Sequence, residues 1–444
     1  MLRFGFAKED ITPARGIPLC GYFNPRPNTG ARDPLALKAA VFECAGTCAG
    51  IVSFDLCLIP YSLVKRCMQA VAEKGLSFGK NIIFSATHTH TGPYTAPLFD
   101  GPVDEDYNDM LVKKTADALE RAYRSLADAE LFTGKAENAS LAFNRRFWMK
   151  DGTVLTNPGK LNPEILKPES VIDPEIPFMV VKQDGMDRLI IANISNHTDT
   201  IGDDFVSADW PGRMEREIQN CLGSDVPVMT LIGCQGNINH FNVENNADQT
   251  CYAEACRIGK AYAGSILSML YAVKKVNVDT ITFRSAEMEM PVYKVTDAEY
   301  DAAKKIVAEF GDVKAESASD QTSEGIAAGN AYVKVFFAKR LIENRENPLT
   351  ENPVERMCAL CFGDTIGIST LPAEPFVELG LAIKKLSEFP VTMPVGLAMG
   401  YIGYTGMPEC YERGGGYETR PSRTAPSHDL APKLIAQAVD LLNR

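Results

Sequence analysis

The chain of 444 residues is short of several things, and each shortage narrows what it can be. No window of eighteen consecutive apolar residues exists, so no helical membrane span is expected. The first residues, MLRFGFAKEDITP, carry neither the apolar stretch nor the small-residue cleavage site of a secretory leader, so none is expected. Lysine and arginine never cluster, and the net charge is −12. That balance excludes a broad nucleic-acid footprint and disfavours an anionic membrane surface. The twelve cysteines lack framework-like spacing. The only C-x-x-C, Cys358 to Cys361, has no second pair or histidine run to complete a metal site. Buried, reduced thiols in a cytoplasmic protein are the expectation. Histidine is scarcest of the chemically versatile residues, with five in the whole chain, so their placement carries information.

What is present is an ordinary globular composition, 45% hydrophobic and 23% charged, with no repeat and no low-complexity tract. Short apolar, β-branched runs alternate with helical patterns, which predicts an α/β fold of mixed β-sheets flanked by helices. Strands are predicted at Ala40–Phe42, Gly50–Phe54, Ile82–Ser85, Phe178–Val181, Leu189–Ile194, Val228–Ile232, Thr365–Ser369 and Val395–Met399. Helices are predicted at 61–75, 105–126, 246–274 and 296–310, the last opened by a capping box between Thr296 and Glu299. The acidic, Ser/Ala/Gly-rich stretch 312–328 reads as an exposed loop, and 296–350 as a helical insertion at the surface. No linker divides the chain, so a single domain over 1–444 is expected.

Four of the five histidines stand just beyond a predicted strand. In SATHTHTGP, His88 and His90 follow the run NIIF. If the extended conformation continues, residues two apart share a face, and Thr87, Thr89 and Thr91 take the other. Such a pair can present metal ligands or simply be a hydrogen-bonded loop. His197 follows LIIANIS and precedes Asp199, Asp203, Asp204 and Asp209, any of which could orient an imidazole; Asp203 and Asp204 fit a surface loop better. Asn196-His197-Thr198 is also a formal glycosylation sequon, which a functional His197 could not tolerate. His240 ends GCQGNINH, whose glycines and amides suit a tight turn close to a ligand or a purely structural one. Glu374 lies between a strand and a helix that starts at Pro375; it could cap that helix or bind metal. Tyr401 and Tyr404 end another strand, ahead of a loop containing Gly414, Gly415 and Gly416. Together these repeat one plan: a polar, ligand-type residue at a strand's C-terminal end, where open α/β sheets bind ligands.

These segments resemble the neutral ceramidase family of zinc amidases. SATHTHTGP is similar to the family's metal-binding motif. DITP, GY at 21–22, SFDL at 53–56, NRR at 144–146, VSADWPG at 206–212, GCQGNIN at 233–239, LPAEPF at 371–376 and GYIGY with the downstream YE follow in the family's order. The resemblance implies a catalytic domain of the ceramidase type with Zn2+ held by His88, His197, Glu374 and Tyr404. It implies His90 beside the zinc-bound water and Arg145 at the substrate or oxyanion. The family's nucleophile-assigned serine corresponds here to Asn239, and the neighbouring aspartate to Asn237. Set against the family's pattern, no C-terminal immunoglobulin-like domain is expected in these 444 residues.

The expected activity is therefore zinc-dependent hydrolysis of an amide or related acyl bond in a small molecule, by water rather than through a serine. His90, Arg145, Asn239 and His240 are the catalytic candidates, the last two for positioning substrate. The alternatives are a catalytically silent zinc- or metabolite-binding protein, and a hydrolase of an ester, lactone or glycoside.

Overall fold

Three β-α-β units organise the chain. In the first, strand Thr47–Phe54 leads through helix Tyr61–Glu73 to strand Ile82–Ala86; in the second, Met186–Ile194 leads through Asp209–Leu222 to Val228–Ile232; in the third, Ile366–Thr370 leads through Val377–Leu386 to Val391–Val395. Each pair of strands is parallel, with Ile51 opposite Ile83, Ile191 opposite Met229 and Ile368 opposite Met393. A parallel pair requires a crossover, and it brings two strand C-termini to one edge of the sheet. The computed structural model describes residues 1–23, 25–311, 313, 329–420 and 426–444.

Antiparallel strands complete each sheet. The first adds Ala36–Cys44, Arg3–Asp10 and the short Ala127–Asp128; the second adds Glu175–Gln183, Glu130–Glu137 and Lys274–Val276; the third adds Val354–Phe362 and Ile281–Glu289. The C-terminal ends of the parallel strands are stitched together. Asn193 donates to the carbonyls of Leu231 at 2.9 Å and Pro394 at 3.0 Å, tying the second sheet to the third. The amide of Ala86 donates to Leu397 at 3.1 Å, and that of Gly396 to Ile232 at 2.9 Å. Among the described residues no helix is long and apolar enough to cross a membrane.

Seven of the eight predicted strands lie on observed ones. The exception is Val395–Met399: the strand is Val391–Val395, and Leu397 and Met399 turn away from it with φ of 51° and 67°. Pro394 obscured this strand, but Val391–Val395 is an edge strand, where a missing N–H is tolerated. Helix 246–274 shortens to Tyr252–Met269. Asn245 and Asp248 accept hydrogen bonds from the amides two residues on, which competes with helix at that end. The helix after Glu374 starts at Val377, and Pro375 lies in a strand paired with Thr405. Its first amide is capped by Asn237 Oδ1 at 2.8 Å, not by Glu374. Helices Asp297–Phe310 and Ala331–Glu346 pack together, the first with its Thr296–Glu299 capping box formed. Residues 314–328, nearly all of the predicted exposed loop, lie outside the described residues. Several antiparallel strands and the helices Asp209–Leu222 and Leu430–Asn443 had no counterpart in the prediction. Ile281–Glu289, for example, is half-exposed along most of its length and carries three charges, so no apolar run marks it.

Candidate metal centre

The strand Ile82–Ala86 stops before the histidines. His88 has φ 66°, a left-handed conformation that is strained for a residue with a side chain. The two imidazoles therefore do not share a face through continued extension, as the sequence suggests. They converge because the chain turns, bringing His90 Nε2 to 3.3 Å from His88 Nε2. The threonines between them hold this turn. Thr89 and Thr91 both donate to the carbonyl of Ser207, at 2.7 and 2.9 Å. The His197 segment is tied to the same turn: Thr198 donates to the Thr87 carbonyl at 2.5 Å, and the His90 amide donates to Thr198 at 3.2 Å. Trp210, from VSADWPG, donates from Nε1 to the His197 carbonyl at 2.7 Å.

His88, His197 and Glu374, from three different β-α-β units, meet at one point and are buried. His88 Nδ1 lies 2.7 Å from the Cys57 carbonyl, and His197 Nδ1 lies 3.1 and 3.0 Å from the carbonyls of Gln235 and Ile238. A carbonyl only accepts, so both Nδ1 atoms carry hydrogen, and in the neutral rings that bind a metal both Nε2 atoms present lone pairs. These Nε2 atoms are 3.1 Å apart, and Glu374 Oε2 lies 3.1 Å from one and 3.4 Å from the other. No hydrogen bond satisfies Glu374 Oε2. Three electron-rich atoms facing one another in a buried space repel unless a cation sits among them. A tetrahedral zinc with bonds of roughly 2.0–2.1 Å sets its ligand atoms about 3.3 Å apart, which is the spacing found. The residues fit a divalent metal ion.

The surroundings favour positive charge at this point, which a proton on His88 supplies in the metal-free chain. Burial opposes charge on His88, but Glu374 and Cys57 outweigh it and raise its pKa well above normal. Burial likewise raises Glu374, and His88 and His197 overturn this to hold its carboxyl well below the ordinary range. Burial and the Arg145 charge lower His197 to about 4. The remaining oxygen of Glu374 accepts from the Tyr401 hydroxyl at 2.8 Å. Tyr404 pairs with Glu374 through backbone, strand to strand.

His90 stands at the side of this group. It shares a second cluster of ligand atoms with His88 and Cys57. Its Nδ1 lies 3.3 Å from Asp199 Oδ1, not aligned for a hydrogen bond, and Asp199 accepts from the Tyr22 hydroxyl at 2.5 Å. Burial drives His90 down to about 3, so the ring is neutral. Gly21 is required here, because a Cβ at that position would stand 2.5 Å from the His90 ring.

Arg145 is buried beneath the same centre. Its guanidinium lies 5.2 Å from the ring centroids of both Tyr404 and Tyr417, and its Nη1 is 3.4 Å from His197 Nε2. Nη2 donates to the Gly236 carbonyl at 2.6 Å, and Nε is 2.9 Å from Glu418 Oε1. Glu418 also pairs with Arg146 at 3.1 Å and accepts from Thr156 at 2.6 Å. The glycine run after Tyr404 is fastened to the same group: Gly414 and Gly415 accept from Arg146 at 3.1 and 2.8 Å.

Asn239 and His240 are engaged elsewhere. Asn239 donates to Asn157 Oδ1 at 3.1 Å and accepts from the Phe241 amide at 3.1 Å. His240 Nε2 donates to the Gln249 carbonyl at 2.6 Å. Their contacts organise turns, so the substrate-positioning role expected of them does not follow from the structure. The glycine loop around them approaches Glu374 rather than a ligand, since a Cβ on Gly236 would stand 2.4 Å from the Glu374 carbonyl oxygen. Asn196 is fully buried, donating to Leu141 and Tyr262, so the sequon offers no glycan site in this fold. His428 lies outside the group, stacked between Tyr293 and Tyr411. Sequence reasoning left Tyr22, Cys57 and Tyr417 without roles; GY and YE in the motif series were the only signal for two of them.

No family model matches the chain, and no curated protein matches it in sequence. Solved structures do match. Neutral ceramidase from Pseudomonas aeruginosa superposes with a TM-score of 0.73 and 19% identity, over 99% of this chain and 74% of that one. A ceramidase complexed with C2 gives 0.74 and 19%, with the same coverage. The chain has a ceramidase-like fold of mixed sheets flanked by helices.

Proposed function

We propose that the protein is a zinc-dependent hydrolase of an amide or closely related acyl bond in a small molecule. The observation that carries this is the buried meeting of two imidazole lone pairs and an unsatisfied carboxylate oxygen at tetrahedral spacing. His88, His197 and Glu374 would hold the metal, and Tyr404, whose strand pairs with that of Glu374, would complete the set. Two imidazoles and a carboxylate form a set typical of catalytic zinc. When bound, such a metal lowers the pKa of water and polarises a carbonyl.

The chain's own residues supply the rest. Asp199, which accepts from Tyr22, lies 3.3 Å from His90 Nδ1, and His90 Nε2, 3.3 Å from His88 Nε2, would act as a neutral base. His90 takes a proton from the attacking water and returns it to the departing nitrogen. The water oxygen bonds to the carbonyl carbon, the C–N bond breaks, and an acid and an amine result. Arg145, whose Nη1 is 3.4 Å from His197 Nε2, would steady negative charge on the carbonyl oxygen. Asn239 occupies the position of the family's serine, so no acyl-enzyme on that residue is invoked. Asn239 and His240 brace the loop beneath Arg145. The ceramidase fold of the two structural neighbours supports the reading of an amide bond.

The test is metal content of protein purified without chelator, measured beside hydrolysis of a panel of N-acyl compounds. One zinc per wild-type chain, lost in His197→Ala, is expected. His90→Ala should keep zinc but lose about 10²–10⁴-fold in rate. Wild-type protein that takes up no divalent metal defeats the proposal.

A further inference from the structure

We propose that Arg420 binds the anionic end of the substrate in an aromatic chamber outside the metal centre, so that the compound hydrolysed carries a carboxylate on an apolar body. For the bond cleaved this rests on the hydrolase reading above; the anion site does not.

Two adjoining cavities are present. The inner one is lined by His88, His90, Asp199 and Glu374. The outer one is lined by Tyr293, Phe337, Tyr411, Arg420 and His428. Phe99, Tyr401, Tyr404 and Tyr417 line both, so a ligand seated in the outer chamber extends toward the metal-binding group.

The walls of the outer chamber are flat and apolar. The His428 ring lies between Tyr293 and Tyr411 at centroid distances of 4.4 and 4.2 Å, nearly parallel to both. Phe337, from helix Ala331–Glu346, closes another side. Burial lowers the pKa of His428 despite Glu299 and Asp429. Arg420 is then the one permanent cation among the described lining residues.

Arg420 differs from the arginines around it. Arg145, Arg146 and Arg413 each meet a glutamate within 3.1 Å. Arg420 stacks over Phe337 at 4.9 Å and donates from Nε to the Gly416 carbonyl at 3.2 Å. Among the described residues no carboxylate forms an ion pair with it. Its nearest acid in sequence, Glu418, is committed to Arg145, Arg146 and Thr156. Burial pulls the Arg420 pKa down against the pull of Glu418, as expected of a cation short of compensation. A guanidinium stacked on an aromatic ring, with its terminal nitrogens uncommitted among the described residues, is matched by a carboxylate, which it can grip with two hydrogen bonds. The aromatic walls would take the apolar part of the same molecule.

The test compares 4-phenylbutyrate with 4-phenylbutan-1-ol by titration calorimetry. Chelator-treated wild-type protein is used, so that metal cannot hold the acid. The acid is expected to bind about 10–100-fold more tightly than the alcohol, the worth of a charge-assisted pair. Arg420→Gln should erase that preference while alcohol binding, the check on folding, persists; Arg420→Lys should retain part of it. Equal binding of acid and alcohol by the wild type, or an undiminished preference in Arg420→Gln, overturns the proposal. Zinc content is measured on the same preparations before chelation. An acid preference without any metal uptake would sustain the anion site and sink the hydrolase reading; zinc uptake without the preference would do the reverse.

Discussion

Glu355 should make the protein less stable as pH rises, and Glu355→Gln should remove that dependence. The residue sits in strand Val354–Phe362, is 8% exposed, and leaves Oε2 without a hydrogen-bond partner. Burial raises its carboxyl from 4.5 to about 8, with Lys65 offsetting only part. Between those values the folded chain holds a proton that the unfolded chain has released. Stability therefore falls as pH climbs from about 4.5 to about 8, and the full cost persists above. At about 1.36 kcal/mol per pH unit the ceiling is about 5 kcal/mol. Residual solvent contact relieves some of this, so about 2–4 kcal/mol is expected. The carboxylate lies against the Gly400 backbone, where a Cβ would stand 1.8 Å from Oε2, and Gly400 precedes Tyr401, which donates to Glu374. The assay is urea denaturation at pH 5 and pH 9 in the presence of chelator. Taking the difference between wild type and Glu355→Gln cancels other titrating groups, including Asp209, which burial raises to about 6. The variant should gain about 2–4 kcal/mol on the wild type at pH 9 relative to pH 5. Parallel losses in the two proteins would refute the argument.

Two further outcomes follow from the site. Tyr401→Phe removes the hydrogen bond to Glu374 Oε1 and should weaken zinc binding about 10–100-fold, read by competition with a chelating dye, with little change in unfolding; unchanged affinity would show that the bond does not orient the ligand. Glu418→Gln leaves Arg145 without its buried counter-charge and Arg146 with Glu169 alone, and should cost about 3–5 kcal/mol in denaturant unfolding. In the wild type, burial raises Glu418 but the two arginines outweigh it and lower its pKa. Its contribution is thus present above about 4.5 and is lost as pH falls below it, so the gap between wild type and variant should close in acid.

The sequence alone determined the local elements that carry the site. Buried, β-branched runs such as Leu189–Ile194 and Val228–Ile232 announce strands covered on both faces, and a lone polar residue after such a run stands out. That is why His88, His197 and Glu374 were legible as candidates, and why their order within a motif series pointed to the fold that superposition finds. Which atoms face one another was decided only by tertiary structure. The left-handed turn at His88, the carbonyls of Cys57, Gln235 and Ile238 that set the tautomers, and the hydroxyls of Tyr22 and Tyr401 come from segments far apart in the chain. Asn239 and His240 show the converse: they end a motif of the series, yet Asn157, the Phe241 amide and the Gln249 carbonyl claim their side chains. A residue's propensity depends on its sequence neighbours, whereas a ligand set depends on how three parallel strand pairs pack edge to edge. That packing is fixed by long-range contacts such as Asn193 to Leu231 and Pro394, which no local pattern encodes.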